Sequence, residues 1–468
     1  MKTRIEHDLL GNKEVPMDAY YGVQTLRAIE NFAGISNYTI GMFPNYVKAL
    51  AMVKWAAAKA NFELGLIPAD ITNAITAACE EIIDGKLADQ FPVDMVQGGA
   101  GTSTNMNINE VVANRALELL GHQKGEYQYC HPNNHVNLSQ STNDAYPTSF
   151  HLAIILTNKE VVAEIKLLVD SFRRKAKEFE HVLKMGRTQL QDAVPMTLGQ
   201  EFEAYAYTLE ENIERLNAAA KLFLVENMGA TAIGTGINSE PEYAEICARE
   251  LRIISGEEFV LAPNLIAATP DTGACVSYSS ELKRFCVQLS KVCNDLRLLS
   301  SGPRCGLNEI NLPPMQPGSS IMPGKVNPVI PEVTNQAAFL AIGLDTSVML
   351  AASAGQLELN VMEPVISFAL YMQMKVLTNS CNALREKCID GIVVNAKHCE
   401  DLVMGSLGII TVLKPHFGYK PCANIAREGF LPGKSLHQLV VEEKQMLTQE
   451  QWDKVFTYEN LINPKFEK

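Results

Sequence analysis

The sequence predicts a mainly α-helical fold whose centre is a set of five long helices, and the placement of proline and apolar residues predicts it. No proline occurs between Pro147 and Pro195, while apolar residues recur three and four apart through Leu152, Ile155, Val161, Val162, Ile165, Leu168 and Val169. Residues 200–226 repeat the pattern through Phe202, Tyr205, Leu209, Ile213, Leu216, Ala220 and Phe223. Helices of that length outrun any compact partner and must lie along others like themselves, which is the condition for a bundle.

The elements follow in order. Residues 1–143 form an N-terminal mixed segment with helices expected at 47–64 and 70–83, and with Gly- and Asn-rich loops expected at 97–107 and 131–144. Residues 144–395 form the long-helix domain, with the two helices above and three more at 276–301, 332–354 and 364–389. The helix at 332–354 carries Phe339, Leu340, Ala341, Ile342, Leu344, Val348 and Leu350 around much of its circumference, so both internal packing and subunit contact are expected. Asp345 alone breaks its apolar run with a charge. Residues 396–468 form a small C-terminal domain punctuated by Gly405, Gly408, Pro415, Gly418, Pro421, Gly429, Pro432 and Gly433.

Composition narrows the function. Of 468 residues, 53 are acidic and 40 are Lys or Arg, a formal charge of −13. No run of basic residues interrupts that balance, which argues against nucleic acid or an anionic membrane as partner. The eleven cysteines show no C-x-x-C spacing and read as small buried hydrophobes of a reducing compartment. The first residues have no apolar signal core, and no stretch approaches 18 consecutive apolar residues; a cytoplasmic protein is expected.

Gly318-Ser319-Ser320-Ile321-Met322-Pro323-Gly324-Lys325-Val326-Asn327-Pro328 carries the strongest chemical signal. Two hydroxyls stand in a Gly-flanked loop that ends with Lys and Asn before a long helix. Loop N–H groups, a lysine and a helix start together suit a carboxylate. Competing motifs fail on chemistry. His131 and His135 are four apart, but Pro132 makes a turn of the intervening chain and no carboxylate stands beside them as in H-E-x-x-H, so a structural role is expected and no metal site. Gly98, Gly99 and Gly101 lack a following Gly-Lys-Ser/Thr, and Gly234-Thr235-Gly236 lacks the third glycine of a dinucleotide site.

That loop is similar to the signature loop of the fumarase/aspartase superfamily, whose members eliminate a leaving group across C2–C3 of a succinyl unit. Three more blocks resemble the family in order: residues 99–107, 131–144 and 186–195. Three features resemble the branch that releases ammonia from L-aspartate more than the branch that releases water from malate. These are the opening at Asp8 to Gly22, the Ser141-Thr142-Asn143 run, and Pro331-Glu332-Val333-Thr334-Asn335-Gln336 after the signature loop. Fumarate hydratase activity and a non-catalytic structural role on the same fold are the competing readings.

The resemblance implies roles for particular residues. Removing hydrogen beside a carboxylate builds an enediolate dianion, and the hydroxyls of Thr102, Ser141, Thr142 and Ser320 would meet it at the β-carboxylate. Ser319 would be the general base, its oxygen held partly ionised by loop N–H donors and Lys325. Lys325, Asn327 and Thr188 would clamp the α-carboxylate, and Asn143, with Thr102 and Thr142, would contact the amino group. Gln189 stands where many relatives have His, so a His–Glu proton relay is not expected there; Asn134 replaces the Asp of an auxiliary dicarboxylate turn. The resemblance further implies a three-domain subunit whose five-helix bundles join into a twenty-helix homotetramer, with each site drawn from three chains. No cofactor is expected; an activating divalent metal stays open.

Overall fold

The structure, a computed structural model, describes residues 2–430 and 434–462. The chain folds as two units, each assembled from segments distant in sequence. One comprises Met1–Ala163, Asn212–Cys286 and Ala338–Thr378; the other comprises Glu164–Glu211, Val287–Ala337 and Asn379–Lys468.

The five long helices are present at Thr142–Glu178, Leu198–Ala220, Gly273–Leu299, Val329–Ser353 and Glu363–Lys387. Each contributes one stretch to each unit. Within the first unit, buried polar pegs join them through an otherwise apolar interior. Tyr278 donates to Asn158 at 2.9 Å, Asn158 to Asn217 at 2.9 Å, and Gln373 to the Ala341 carbonyl at 2.9 Å. A buried polar group without a partner costs roughly 1–3 kcal/mol, so such pairs fix the register of neighbouring helices. Asp345 is satisfied by Ser279 at 2.8 Å and Lys283 at 2.6 Å.

The second unit repeats the principle with other residues. Tyr205 donates to Asp295 at 3.0 Å, Asn335 to Ser290 at 2.8 Å, and Arg385 to Glu164 at 2.9 Å. An antiparallel hairpin of Leu183–Thr188 and Gln191–Thr197 interrupts the helical order. Behind it lies a core in which Met185 of the hairpin packs with Val403, Ile409, Leu413, Leu439 and Trp452.

Several expectations need correction. The proline-free stretch is not one helix, because it ends at Glu178 and the hairpin follows. The expected loop at 97–107 becomes helix from Thr102, which runs to Leu119. Its asparagines are poor helix formers by propensity but find tertiary partners: Asn107 donates to the Gln90 carbonyl at 2.9 Å and Asn114 to the Tyr20 carbonyl at 2.8 Å. The second expected loop likewise ends in a helix from Thr142. Between them Pro132–Val136 makes one wide turn, with the His131 ring capping Asn133 and Asn134 and the His135 ring accepting from the His131 amide at 2.8 Å. Both imidazoles serve their own turn, as the sequence suggested.

All eleven cysteines are free, ten of them buried. Of the apolar side chains of the helix Val329–Ser353, Ala338, Ala341, Val348 and Ala351 are buried, while Phe339 is 58% and Leu350 59% exposed. Among the described residues it is the one helix long and apolar enough to cross a membrane.

Candidate active site

The candidate residues fall into two groups, one in each unit. In the first unit, Thr102 and Thr142 are each the first residue of a helix, of 18 and 37 residues respectively. Gly101, at φ +89°, turns the chain into the first of these; its α-hydrogen faces the Tyr146 ring, where a Cβ would come within 2.2 Å. The N-terminal ends of long helices present free N–H groups and a positive dipole end, the environment a carboxylate prefers.

The start of the second helix is built around Pro147. Lacking an N–H, Pro147 leaves the carbonyl of Asn143 without its helical donor. Asn227 fills the gap, donating to that carbonyl at 3.0 Å, and the Asn143 side chain in turn donates to the Ala232 carbonyl at 2.8 Å. Asp144, fully buried, accepts from the Ser141 amide and the Thr231 amide, each at 2.9 Å. Burial pushes its carboxyl up to about 7 against those amide donors. The segment 227–232 and the Ser141-Thr142-Asn143 run are thereby locked to each other. The Ser141 oxygen accepts from the Asn143 amide at 3.2 Å, and the Thr142 oxygen accepts from the Asn105 side chain at 3.3 Å.

One charged side chain at this place went unremarked in the sequence. Lys54, on the helix Pro44–Glu63, has no solvent exposure. Its ammonium donates to Asn105 Oδ1 at 2.7 Å, Asn137 Oδ1 at 3.0 Å and Gln140 Oε1 at 2.8 Å. The signal was available: a lone lysine inside Leu50-Ala51-Met52-Val53-Lys54-Trp55-Ala56-Ala57 has no reason to be there unless paired.

The second unit holds Thr188, Ser319, Ser320, Lys325 and Asn327. The Ser319 hydroxyl oxygen accepts from two loop amides, Met322 at 2.9 Å and Ile321 at 3.2 Å. Two N–H donors on one oxygen favour its ionised form. The neck of the loop is closed by the Gly318 amide to the Lys325 carbonyl at 2.7 Å and the Asn327 side chain to the Gly318 carbonyl at 2.7 Å. Ser320 and Lys325 are exposed.

Thr188 stands at the tip of the hairpin, paired with Gln191 across the two-residue turn Gln189-Leu190. Both turn residues take positive φ, 54° and 62°, which costs non-glycine residues of order 1 kcal/mol each. The first strand of this hairpin is anchored by Glu309, fully buried, with Arg187 near the tip at 2.6 Å and Lys184 near the root at 3.3 Å. Among the described residues no group of three or more His, Cys, Asp or Glu side chains is arranged to hold a metal ion.

A long-helix scaffold that carries hydroxyls at helix starts and a serine cradled by loop amides is the outline of an eliminating lyase. The sequence model of the family described as Lyase matches residues 11–343, and that of the Fumarase C C-terminus matches 409–463. The chain belongs to the fumarase/aspartase family of lyases. Aspartate ammonia-lyase of Helicobacter pylori is 57% identical over 461 residues, 98% of each chain. The structure described as fumarate lyase:delta crystallin from Brucella melitensis bound to cobalt is 51% identical, with TM-score 0.94 over 97% of this chain and 98% of that one. Class II fumarase from Schistosoma mansoni is 36% identical, with TM-score 0.90 over 99% of both chains. The family resemblance and the helical fold expected from the sequence both hold.

Proposed function

We propose that the chain is a carbon–nitrogen lyase that reversibly deaminates L-aspartate to fumarate and ammonia. The observation that carries the substrate choice is similarity: 57% identity to an aspartate ammonia-lyase against 36% to a class II fumarase. Two amides on the Ser319 oxygen support the chemistry.

Ser319, as alkoxide, takes the proton from C3. The electrons of that bond move into the neighbouring β-carboxylate and make an enediolate dianion, met by the hydroxyls of Thr102, Ser141, Thr142 and Ser320. Collapse forms the C2–C3 double bond and breaks C2–N. The α-ammonium takes the C–N electron pair and departs as neutral ammonia, so no general acid is required. Donors that tighten as charge develops accelerate the step without holding the ground state too firmly. Lys325, Asn327 and Thr188 hold the α-carboxylate, and Asn143, with Thr102 and Thr142, contacts the amino group. Lys325 supplies a local positive charge in a molecule of net charge −13.

The assembly is proposed as a homotetramer whose central core includes the exposed apolar face of Val329–Ser353, each site taking its residue groups from more than one chain. The chemistry as written draws on no organic cofactor.

The test is fumarate absorbance with purified protein and either L-aspartate or L-malate. Fumarate from aspartate alone is expected. Fumarate from malate alone would transfer the reading to a hydratase, and none from either would leave a structural protein. Ser319→Ala is expected to cut turnover by at least ~100-fold with the fold intact.

A further inference from the structure

We infer that Lys54 is a positioning residue that sets the hydrogen-bond polarity of the carboxylate site, forcing Thr142 to act as a donor toward substrate. The inference rests on the reading of Thr142 as a β-carboxylate ligand.

An ammonium has three N–H donors and no acceptor. Lys54 is enclosed by three amide oxygens at 2.7, 2.8 and 3.0 Å, from Asn105, Gln140 and Asn137. Burial lowers its amine to about 7, and the negative charge of Asp144 opposes that effect. The three oxygens match a charged amine, since a neutral one has only two hydrogens to offer them.

The consequence travels along one side chain. Because Lys54 accepts nothing, Asn105 must turn its Oδ1 toward it, and the opposite face of that amide is then Nδ2. Nδ2 donates to Asn137 Oδ1 at 3.1 Å and to Thr142 Oγ1 at 3.3 Å. A hydroxyl whose lone pair is engaged from behind points its hydrogen away, and a carboxylate in front is the acceptor that rewards this. Asn137 is oriented in the same manner, since its Oδ1 collects donors from Lys54, Asn105 and Asn109. Gln140, with Oε1 on Lys54, turns Nε2 to the Val136 carbonyl at 2.9 Å and holds the turn that leads into Ser141. A single buried charge thus fixes three amides that lie behind the Ser141-Thr142-Asn143 run. The same charge adds positive potential behind a site meant for a dianion, without exposing a cation that would bind the ground-state carboxylate directly.

Asn105→Asp tests the idea. An aspartate keeps the size and still receives the Lys54 ammonium, so the protein is expected to fold, with a lowered melting temperature because the donor to Asn137 Oδ1 is lost as well. Its second oxygen, however, can only accept, so Thr142 must donate backward and present lone pairs to substrate. The expected result is a fall in kcat/KM for L-aspartate of about tenfold or more, the scale of a hydrogen bond to a charged group, with succinate inhibition weakened in parallel. Lys54→Met removes the orienting charge, and Thr142→Val removes the donor; both are expected to weaken succinate as Asn105→Asp does. If Thr142→Val loses succinate affinity while Asn105→Asp and Lys54→Met bind it like the parent, the inference falls and the site reading stands. If Thr142→Val itself binds succinate and turns over normally, the site reading and the inference fall together.

Discussion

The Gly318 amide donates to the Lys325 carbonyl at 2.7 Å, so the two ends of the segment that carries Ser319 are pinned to each other. The contact requires glycine. A Cβ at position 318 would lie 2.5 Å from the Lys325 oxygen and 2.9 Å from the Asn327 nitrogen, both backbone atoms that cannot swing aside. Gly318→Ala should therefore pry the neck open and displace both Ser319 and Lys325. A misplacement near 1 Å costs about 100-fold in rate, and that is the loss expected in kcat for fumarate formation, with the melting temperature nearly unchanged because the loop is exposed. Full activity in Gly318→Ala would show that loop closure at this neck does not position Ser319, the proposed base.

Glu309 has no solvent exposure and faces two cations, Arg187 at 2.6 Å and Lys184 at 3.3 Å. Lys184 has a second partner in Glu201 at 2.5 Å, but Arg187 depends on Glu309. Glu309→Gln leaves the part-buried charge of Arg187 uncompensated, at a cost of up to about 3–5 kcal/mol, the scale for removing one partner of a buried pair. Arg187 precedes Thr188 on the hairpin, so the loss should reach the substrate. A lower melting temperature together with a raised KM for L-aspartate is expected; a melting curve that overlays the parent would mean that the ion pair carries no stability.

The long helices were legible because apolar residues at three and four spacing state where a helix buries its face. The helix starts at Thr102 and Thr142 were not. Asn105 and Asn107 fell within the expected loop at 97–107, and partners distant in sequence, Lys54 and Gln90, make them acceptable inside a helix, as Asn137 and Tyr20 do for Asn109 and Asn114 further along it. The hairpin at 183–197 was hidden for a related reason. Its turn, Gln189-Leu190, lacks the Asn-Gly or Gly that favours positive φ, so the local signal for a turn is missing. The signature loop could be read as a motif, loop N–H donors at Ser319 included; which two amides reach its oxygen, those of Ile321 and Met322, is set by backbone geometry that residue identity does not state.

Glu226 supplies a pH dependence with a definite sign. Burial pushes its carboxyl up to about 8 from an ordinary 4.5, helped by the negative charge of Asp144 and opposed by the Met228 amide. The folded protein therefore keeps a proton that the unfolded chain gives up. Its contribution to stability is complete below about pH 4.5 and drains away as the pH rises through about 8. Glu226→Gln imitates the protonated form at every pH, and an amide can place an N–H where Oε1 now has no partner. The variant should thus gain on the parent as pH rises from about 5 to about 8, by of order 1–3 kcal/mol across that span, read as a widening gap between their melting temperatures. A gap that narrows with rising pH would reverse the sign and rule out a buried protonated Glu226.

The helix Val329–Ser353 makes the last prediction. Only Ala338, Ala341, Val348 and Ala351 of its apolar residues pack fully within the chain, whereas Phe339, Leu340, Met349 and Leu350 are each more than half exposed. Leu340 is 51% exposed, so a charge there costs a lone subunit little, because a glutamate at that position would face water. Within the proposed tetramer the same charge would be buried among apolar side chains without a partner, at a cost of several kcal/mol for each copy. Leu340→Glu should accordingly retain its helix content by circular dichroism while sedimenting as a smaller species than the parent. Turnover should fall in step with dissociation, if each site is drawn from several chains as proposed. A variant that sediments like the parent with unchanged kcat would place this face outside the subunit interface and require another partner for the apolar stripe.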